Sequence, residues 1–162
     1  SPFPYDGIFR RAVLNFKFHN CGAYAELLSH EMVRSIKDVY RDRKFDLVTC
    51  VPMHKDTLRK RGYNQAELLA KECARILGIE YADLLVKTKK NKTQHSIKAA
   101  ERAKNVIGVY SPINKNLIKG KRILIIDDII TTGSTLGECA RILNKCKCGE
   151  ICCCTLCTSL LI

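Results

Sequence analysis

The stretch KRILIIDDIITTGSTLGECARIL (121–143) constrains the fold more than any other part of the chain. Ile123, Leu124, Ile125 and Ile126 form a continuous apolar run, the pattern of a strand buried on both faces of a parallel sheet. Leu136, Cys139, Ala140 and Leu143 recur at helical spacing, so a helix starts at about Ser134. Between them lie two adjacent aspartates and a turn of hydroxyl residues around one glycine. Neighbouring carboxylates repel each other and resist burial, so a strand that served packing alone would gain nothing from Asp127 and Asp128. A ligand that uses the negative charge explains them better.

The remaining segments extend this strand–loop–helix unit into an α/β domain. Ile8, Ala12 and Phe16, with Val13, predict an opening helix, and Leu27, Leu28, Met32 and Ile36 a second over roughly 23–40. DLVTCVP (46–52) reads as a buried strand halted by Pro52. The polar, basic stretch MHKDTLRKRGY (53–63) reads as a loop or turn. Asn64 then caps a helix, with Glu67 three residues on as in a capping box, and Gly78 ends it. ADLLV (82–86), VIGVY (106–110) and EICCCTLC (150–157) read as extended segments. Residues 87–105 are strongly basic and lack an apolar pattern, which predicts a long exposed loop with a helical turn near 99–104. No repeat or linker divides the chain, so residues 1–162 are expected to form one domain with a largely parallel central sheet flanked by helices.

Composition narrows the partners. The 28 basic residues outnumber 16 acidic ones, a net charge of +12 that suits phosphates or nucleic acid as well as a solvated basic surface. No run approaches the ~20 apolar residues of a membrane span, so membrane insertion is not expected. Six of the ten cysteines crowd into KCKCGEICCCTLC, at Cys146, Cys148, Cys152, Cys153, Cys154 and Cys157. Successive strand residues face opposite ways, which argues against convergence on a metal and for small buried hydrophobes in a reducing, cytoplasmic compartment.

In a parallel α/β sheet, ligands sit beyond the carboxyl ends of the strands. There Thr131, Thr132, Gly133, Ser134 and Thr135 run into a helix N-terminus, whose N–H groups and dipole favour a phosphate. Gly133 lets the backbone turn without a Cβ. Asp127 and Asp128 could accept hydrogen bonds from vicinal hydroxyls or help hold Mg²⁺. A ribose 5-phosphate offers both a phosphate and a diol; a nucleoside triphosphate would call for the lysine-bearing Walker loop, which is absent. A receiver domain carries its acids near its start, whereas only 34 residues follow Asp128.

The motif resembles the phosphoribosyl-pyrophosphate (PRPP) signature of type I phosphoribosyltransferases. VPMHKDTLRKRGYNQAELLA (51–70), QHSIKAAERAKNVIGVY (94–110) and the opening YDGIFRRAVLNFKF are similar to the competence protein F (ComF, GntX-like) family. The resemblance implies a type I phosphoribosyltransferase fold, with Asp127 and Asp128 as catalytic acids on the ribose 2′ and 3′ hydroxyls and direct or indirect Mg²⁺ ligands. It implies that Thr131, Thr132, Gly133, Ser134 and Thr135 hold the 5′-phosphate. Arg59, Lys60 and Arg61 become candidates for the pyrophosphate, and Gln94, Arg102 and Asn105 lie in a segment corresponding to the mobile hood of type I enzymes. Lys55 stands where the family often has proline, and His95 and Ser96 where it often has Thr-Gly. The family's N-terminal four-cysteine zinc ribbon has no counterpart here, so no zinc is expected, and the start at Ser1 suggests that it was lost or trimmed.

Two functions are compatible with these residues. One is Mg²⁺-dependent transfer of phosphoribose from PRPP to an acceptor, linked by the resemblance to natural competence and DNA uptake. The other is a non-catalytic PRPP-fold protein that binds single-stranded DNA or a competence helicase during transformation. A homodimer is a further expectation, because acceptor loops in such folds often meet across an interface. His54 and His95 are assigned no catalytic role, Tyr63 and Asn64 are read as fixing a helix start, and Tyr110 is read as packing.

Overall fold

The computed structural model describes residues 1–18, 22–89 and 106–159. In chain order its elements are β1 (Phe3–Pro4), α1 (Gly7–Phe18), α2 (Gly22–Val39), β2 (Leu47–Cys50), α3 (Lys55–Arg61), α4 (Gln65–Leu77), β3 (Glu80–Tyr81), β4 (Leu85–Lys87), β5 (Tyr110–Pro112), α5 (Lys115–Ile118), β6 (Arg122–Ile130), α6 (Ser134–Lys145) and β7 (Glu150–Thr158). The central sheet has five strands in the order β1-β7-β6-β2-β3, and every pairing in it is parallel. This is the largely parallel sheet flanked by helices that the apolar runs predict.

Alternation along β6 divides the interior into two layers. Leu124 and Ile126 pack with α1, α2 and α4 through Val13, Phe16, Met32, Leu69 and Cys73. Ile123 and Ile125 face the other layer, with Leu136, Cys139 and Leu143 of α6. Strand β7 repeats the pattern: Cys152 and Cys154 join the first layer, and Cys153 packs against the second. The cysteine-rich run is thus split between two cores by the period of the strand.

Asn64 and Gly78 set the ends of α4 as the sequence implies, but the capping box expected with Glu67 does not form, because its carboxylate turns to Lys71. The Asn64 side chain accepts from the Ala66 N–H at 3.2 Å, and Gly78 closes α4 in a left-handed conformation. Glu67 pairs with Lys71 at 2.6 Å. Asn64 also donates to the Val51 carbonyl at 3.1 Å, which ties the start of α4 to the end of β2.

Four local expectations are revised. Residues 106–110 are not extended throughout: 106–108 form a turn and only Tyr110 enters β5. Residues 55–61 form a helix rather than a loop, capped by His54 Nδ1, which accepts from the Asp56 N–H at 3.2 Å. Helix α3 buries no residue, so it carries no apolar stripe to reveal it. The strand expected over 82–86 is confined to Leu85–Lys87 and lies outside the central sheet, antiparallel to β5. Glu80–Tyr81 takes the place beside β2 instead. The chain leaves the sheet because Leu84 and Leu85 are drawn into the second layer with Val109, Tyr110 and Leu136. Lastly, β6 continues through both aspartates to Ile130, held by pairing to β7 as far as Thr158. The turn expected at 99–104 falls outside the described residues.

Candidate functional site

Strand order locates the site. From β2 the chain crosses through α4 to β3 on one side; from β6 it crosses through α6 to β7 on the other. The connections that leave neighbours β2 and β6 therefore run to opposite sides, and such a switch point opens a crevice. A cleft of about 450 Å³ lies there. Val51, Pro52, Met53 and His54 enter it from the end of β2, and Asp127, Asp128 and Ile129 from β6.

A smaller niche of about 30 Å³ adjoins the cleft, lined by Asp127 and residues 129–136. Asp127, Ile129, Thr131 and Thr135 border both spaces. Gly133 has φ +74° and ψ −4°, and as the N-cap of α6 it makes no side-chain capping bond. The Thr132 and Ser134 hydroxyls lie 2.8 Å apart, and the Ser134 N–H points at Thr132 Oγ1 at 3.4 Å. Leading N–H groups of a 12-residue helix and a ring of hydroxyls thus surround a space the size of a small anion. Asp127 Oδ1 accepts from the Asp128 N–H at 2.9 Å, and both aspartates are half-buried at the cleft wall.

Cations face the carboxylates. Lys87, at the end of β4, places its ammonium 5.5 Å from the centroid of the Tyr110 ring. Burial pulls the Lys87 pKa below the ordinary lysine value, and the negative charge of Asp127 works in the opposite sense. Burial likewise raises the Tyr110 phenol, which also hydrogen-bonds with Thr135. Arg61 enters from the last turn of α3 and donates to Gln65 Oε1 at 2.9 Å.

The structure brings together Asp127, Asp128, Thr131, Thr135 and Arg61 around the cleft, and Thr132, Gly133 and Ser134 around the niche. Arg59 and Lys60 are exposed on α3 and do not line the cleft. Gln94, Arg102 and Asn105 lie outside the described residues. Lys87, Gln65 and Tyr110 also line the cleft without a site signal in the motif reading; Tyr110 packs as the sequence predicts and borders the cleft as well. Gln65 had a readable signal, since it shares the inward stripe of Leu69 and Cys73 while being polar. Lys87 had none, because the β4–β5 hairpin that carries it forms only in three dimensions.

A family model described as a phosphoribosyl transferase domain matches residues 63–160. The chain belongs to this family. Among curated proteins, competence protein F of Haemophilus influenzae is 33% identical over 86% of this chain and 63% of its own length. Competence protein ComFC of Bacillus subtilis is 31% identical over 93% of this chain and 60% of its own. DNA utilization protein YhgH of Escherichia coli is 30% identical over 62% of the chain and 44% of its own. The chain thus resembles the competence protein F group over most of its length, and spans less than two thirds of each of these relatives. Among solved structures, glutamine PRPP amidotransferase from Bacillus subtilis aligns with TM-score 0.53 at 21% identity, over 80% of this chain and 25% of its own. Adenine phosphoribosyltransferase from Giardia lamblia aligns with TM-score 0.51 at 16% identity, over 80% and 69%. These two share the fold. No described helix is long and apolar enough to cross a membrane.

Proposed function

We propose that the cleft binds PRPP, and that the chain transfers phosphoribose to an acceptor nucleophile with release of pyrophosphate. The observation that carries this reading is the position of Asp127, which borders both the anion-sized niche and the larger cleft. A phosphate held by Thr131, Thr132, Gly133, Ser134 and Thr135 leaves its ribose beside the two carboxylates. There Asp127 and Asp128 accept hydrogen bonds from the 2′ and 3′ hydroxyls, and their charge favours the positive character that develops at the anomeric carbon. The acceptor forms its bond to that carbon as the bond to pyrophosphate breaks. Lys87 and Arg61 oppose the charge of the departing group.

The donor set fits Mg²⁺ of the kind that phosphate ligands bring with them. Two carboxylates supply hard oxygens, and among the described residues no three His, Cys, Asp or Glu side chains form a full cage. Such an ion would neutralise charge on the diphosphate, with Asp127 and Asp128 holding it directly or through water. A thermal-shift titration with PRPP and MgCl₂ tests the reading. Wild type should gain stability, and Asp127→Asn/Asp128→Asn should weaken the apparent affinity at least tenfold, as expected for losing hydrogen bonds to charged acceptors worth about 1.5–3 kcal/mol each. A wild type that gains nothing refutes PRPP binding.

One observation favours a second reading, single-stranded DNA binding, alongside relatives whose names concern competence and DNA utilization. At the opposite end of the strands, a groove of about 360 Å³ has Tyr40 and Phe45 in its wall and Lys37, Arg41, Arg43, Lys44 and Arg122 around it. Asp46 and Glu150 each pair with one of the arginines, so positive charge remains in excess. Affinity for an oligonucleotide should then fall steeply with salt and survive the aspartate changes.

A further inference from the structure

Gln65 holds the one buried side-chain polar atom without a partner among the described residues: its Nε2. The residue is 1% exposed and lines the cleft. The amide's orientation follows from chemistry. Arg61 Nη1 lies 2.9 Å from Gln65 Oε1, and a guanidinium can only donate, so the oxygen must face it and the NH₂ must face elsewhere. Leaving such a donor buried and unpaired is costly, so most buried amides avoid it. Arg61 could bond to solvent instead, yet it fixes the amide in the pose that strands Nε2.

The surroundings specify what Nε2 should meet. Gln65 is the first residue of the 13-residue helix α4, where the dipole is positive and Asn64 satisfies the Ala66 N–H. Arg61 keeps further guanidinium donors beside it, and Lys87 lines the same cleft. An acceptor-only, negatively charged oxygen fits this set; a second donor does not.

We propose that Gln65 is a diphosphate-binding residue whose Nε2 donates to an oxygen of the pyrophosphate moiety, with Arg61 both orienting the amide and adding charge. The assignment rests on the PRPP reading of the cleft. It gives the pyrophosphate end a neutral, directional donor that senses the oxygen's position, where Arg61 and Lys87 sense mainly charge. Nε2 itself has almost no accessible surface in the unliganded protein, so its neighbours must shift slightly for a ligand oxygen to reach it, and binding then removes the unpaired amide from the protein.

The test is calorimetric titration of wild type, Gln65→Met and Gln65→Glu with magnesium pyrophosphate, ribose 5-phosphate and PRPP. Gln65→Met keeps the volume and removes the donor; Gln65→Glu presents acceptors only. Both should weaken pyrophosphate and PRPP about tenfold or more and leave ribose 5-phosphate within twofold, which also reports that each variant is folded. Equal weakening of all three ligands, or pyrophosphate affinity unchanged in both variants, overturns the assignment while the PRPP reading stands. If wild type binds pyrophosphate through Gln65 but neither ribose 5-phosphate nor PRPP, the PRPP reading falls and Gln65 remains an anion ligand.

Discussion

Replacing Gly133 by alanine should cost stability through backbone conformation alone, and ligand affinity along with it. At φ +74° the residue is left-handed, a region that costs an L side chain about 1–2 kcal/mol. Space does not add to the cost, because a Cβ there would meet only Ile130 Cδ1 at 3.8 Å, an ordinary contact. At about 2–4 °C per kcal/mol for a chain of this size, the melting temperature should fall by about 2–8 °C. Relaxing the turn also re-aims the N–H groups of Ser134 and Thr135 at the niche, so ribose 5-phosphate should bind more weakly than that stability loss explains. Gly133→Asn should recover part of the stability, since asparagine tolerates this region. Gly149→Ala is the control: its Cβ would lie 2.7 Å from the Gly120 carbonyl oxygen, so packing must shift, but at the other end of the strands. That variant should lose stability by overpacking, about 1–3 kcal/mol, and keep its ribose 5-phosphate affinity. Scanning fluorimetry with and without ribose 5-phosphate reads both effects. A Gly133→Ala protein as stable as wild type, or one that binds as well, would refute the reasoning.

Two further outcomes follow from charge and burial. Arg122 holds the Asp46 carboxyl well below the usual range, through side-chain bonds at 3.0 and 2.7 Å and its N–H at 2.8 Å. A depressed folded value adds stability above the unfolded pKa of about 3.9 that is lost as pH falls toward the folded value. The urea midpoints of wild type and Asp46→Asn should therefore differ most near neutral pH and converge in acid; a constant gap would contradict this. Burial raises the thiols of Cys50 and Cys73 to about 12, while Cys148 is only partly buried. A thiol reagent at neutral pH, followed by peptide mapping, should label Cys148 well before Cys50 or Cys73, and early labelling of either buried thiol would contradict the packing.

How much was legible in the sequence depended on the range of the interactions involved. The niche is local: a buried apolar strand, a glycine turn and a helix start are all contained in residues 123–143, so their order on the chain is their order in space. Asn64 and Gly78 were legible for the same reason, since a cap bonds within a few residues of itself. Helix α3 escaped notice because periodicity reports burial, and α3 buries nothing.

By itself, the sequence determined an α/β domain, the strand that carries Asp127 and Asp128, and the loop of Thr131 to Thr135 that follows. Each is written in a side-chain period or a turn requirement that holds over about ten residues. Only the tertiary structure decided that β2 and β6 are neighbours, and so that a cleft opens between them. It also decided that a hairpin outside the sheet delivers Lys87 and Tyr110, and that Arg61 turns the amide of Gln65. The β2–β6 and β4–β5 pairings join residues 23 to 76 positions apart, and no local pattern encodes which distant face an apolar strand will meet. The Arg61–Gln65 bond spans only four positions, but it depends on the tertiary turn from α3 into α4.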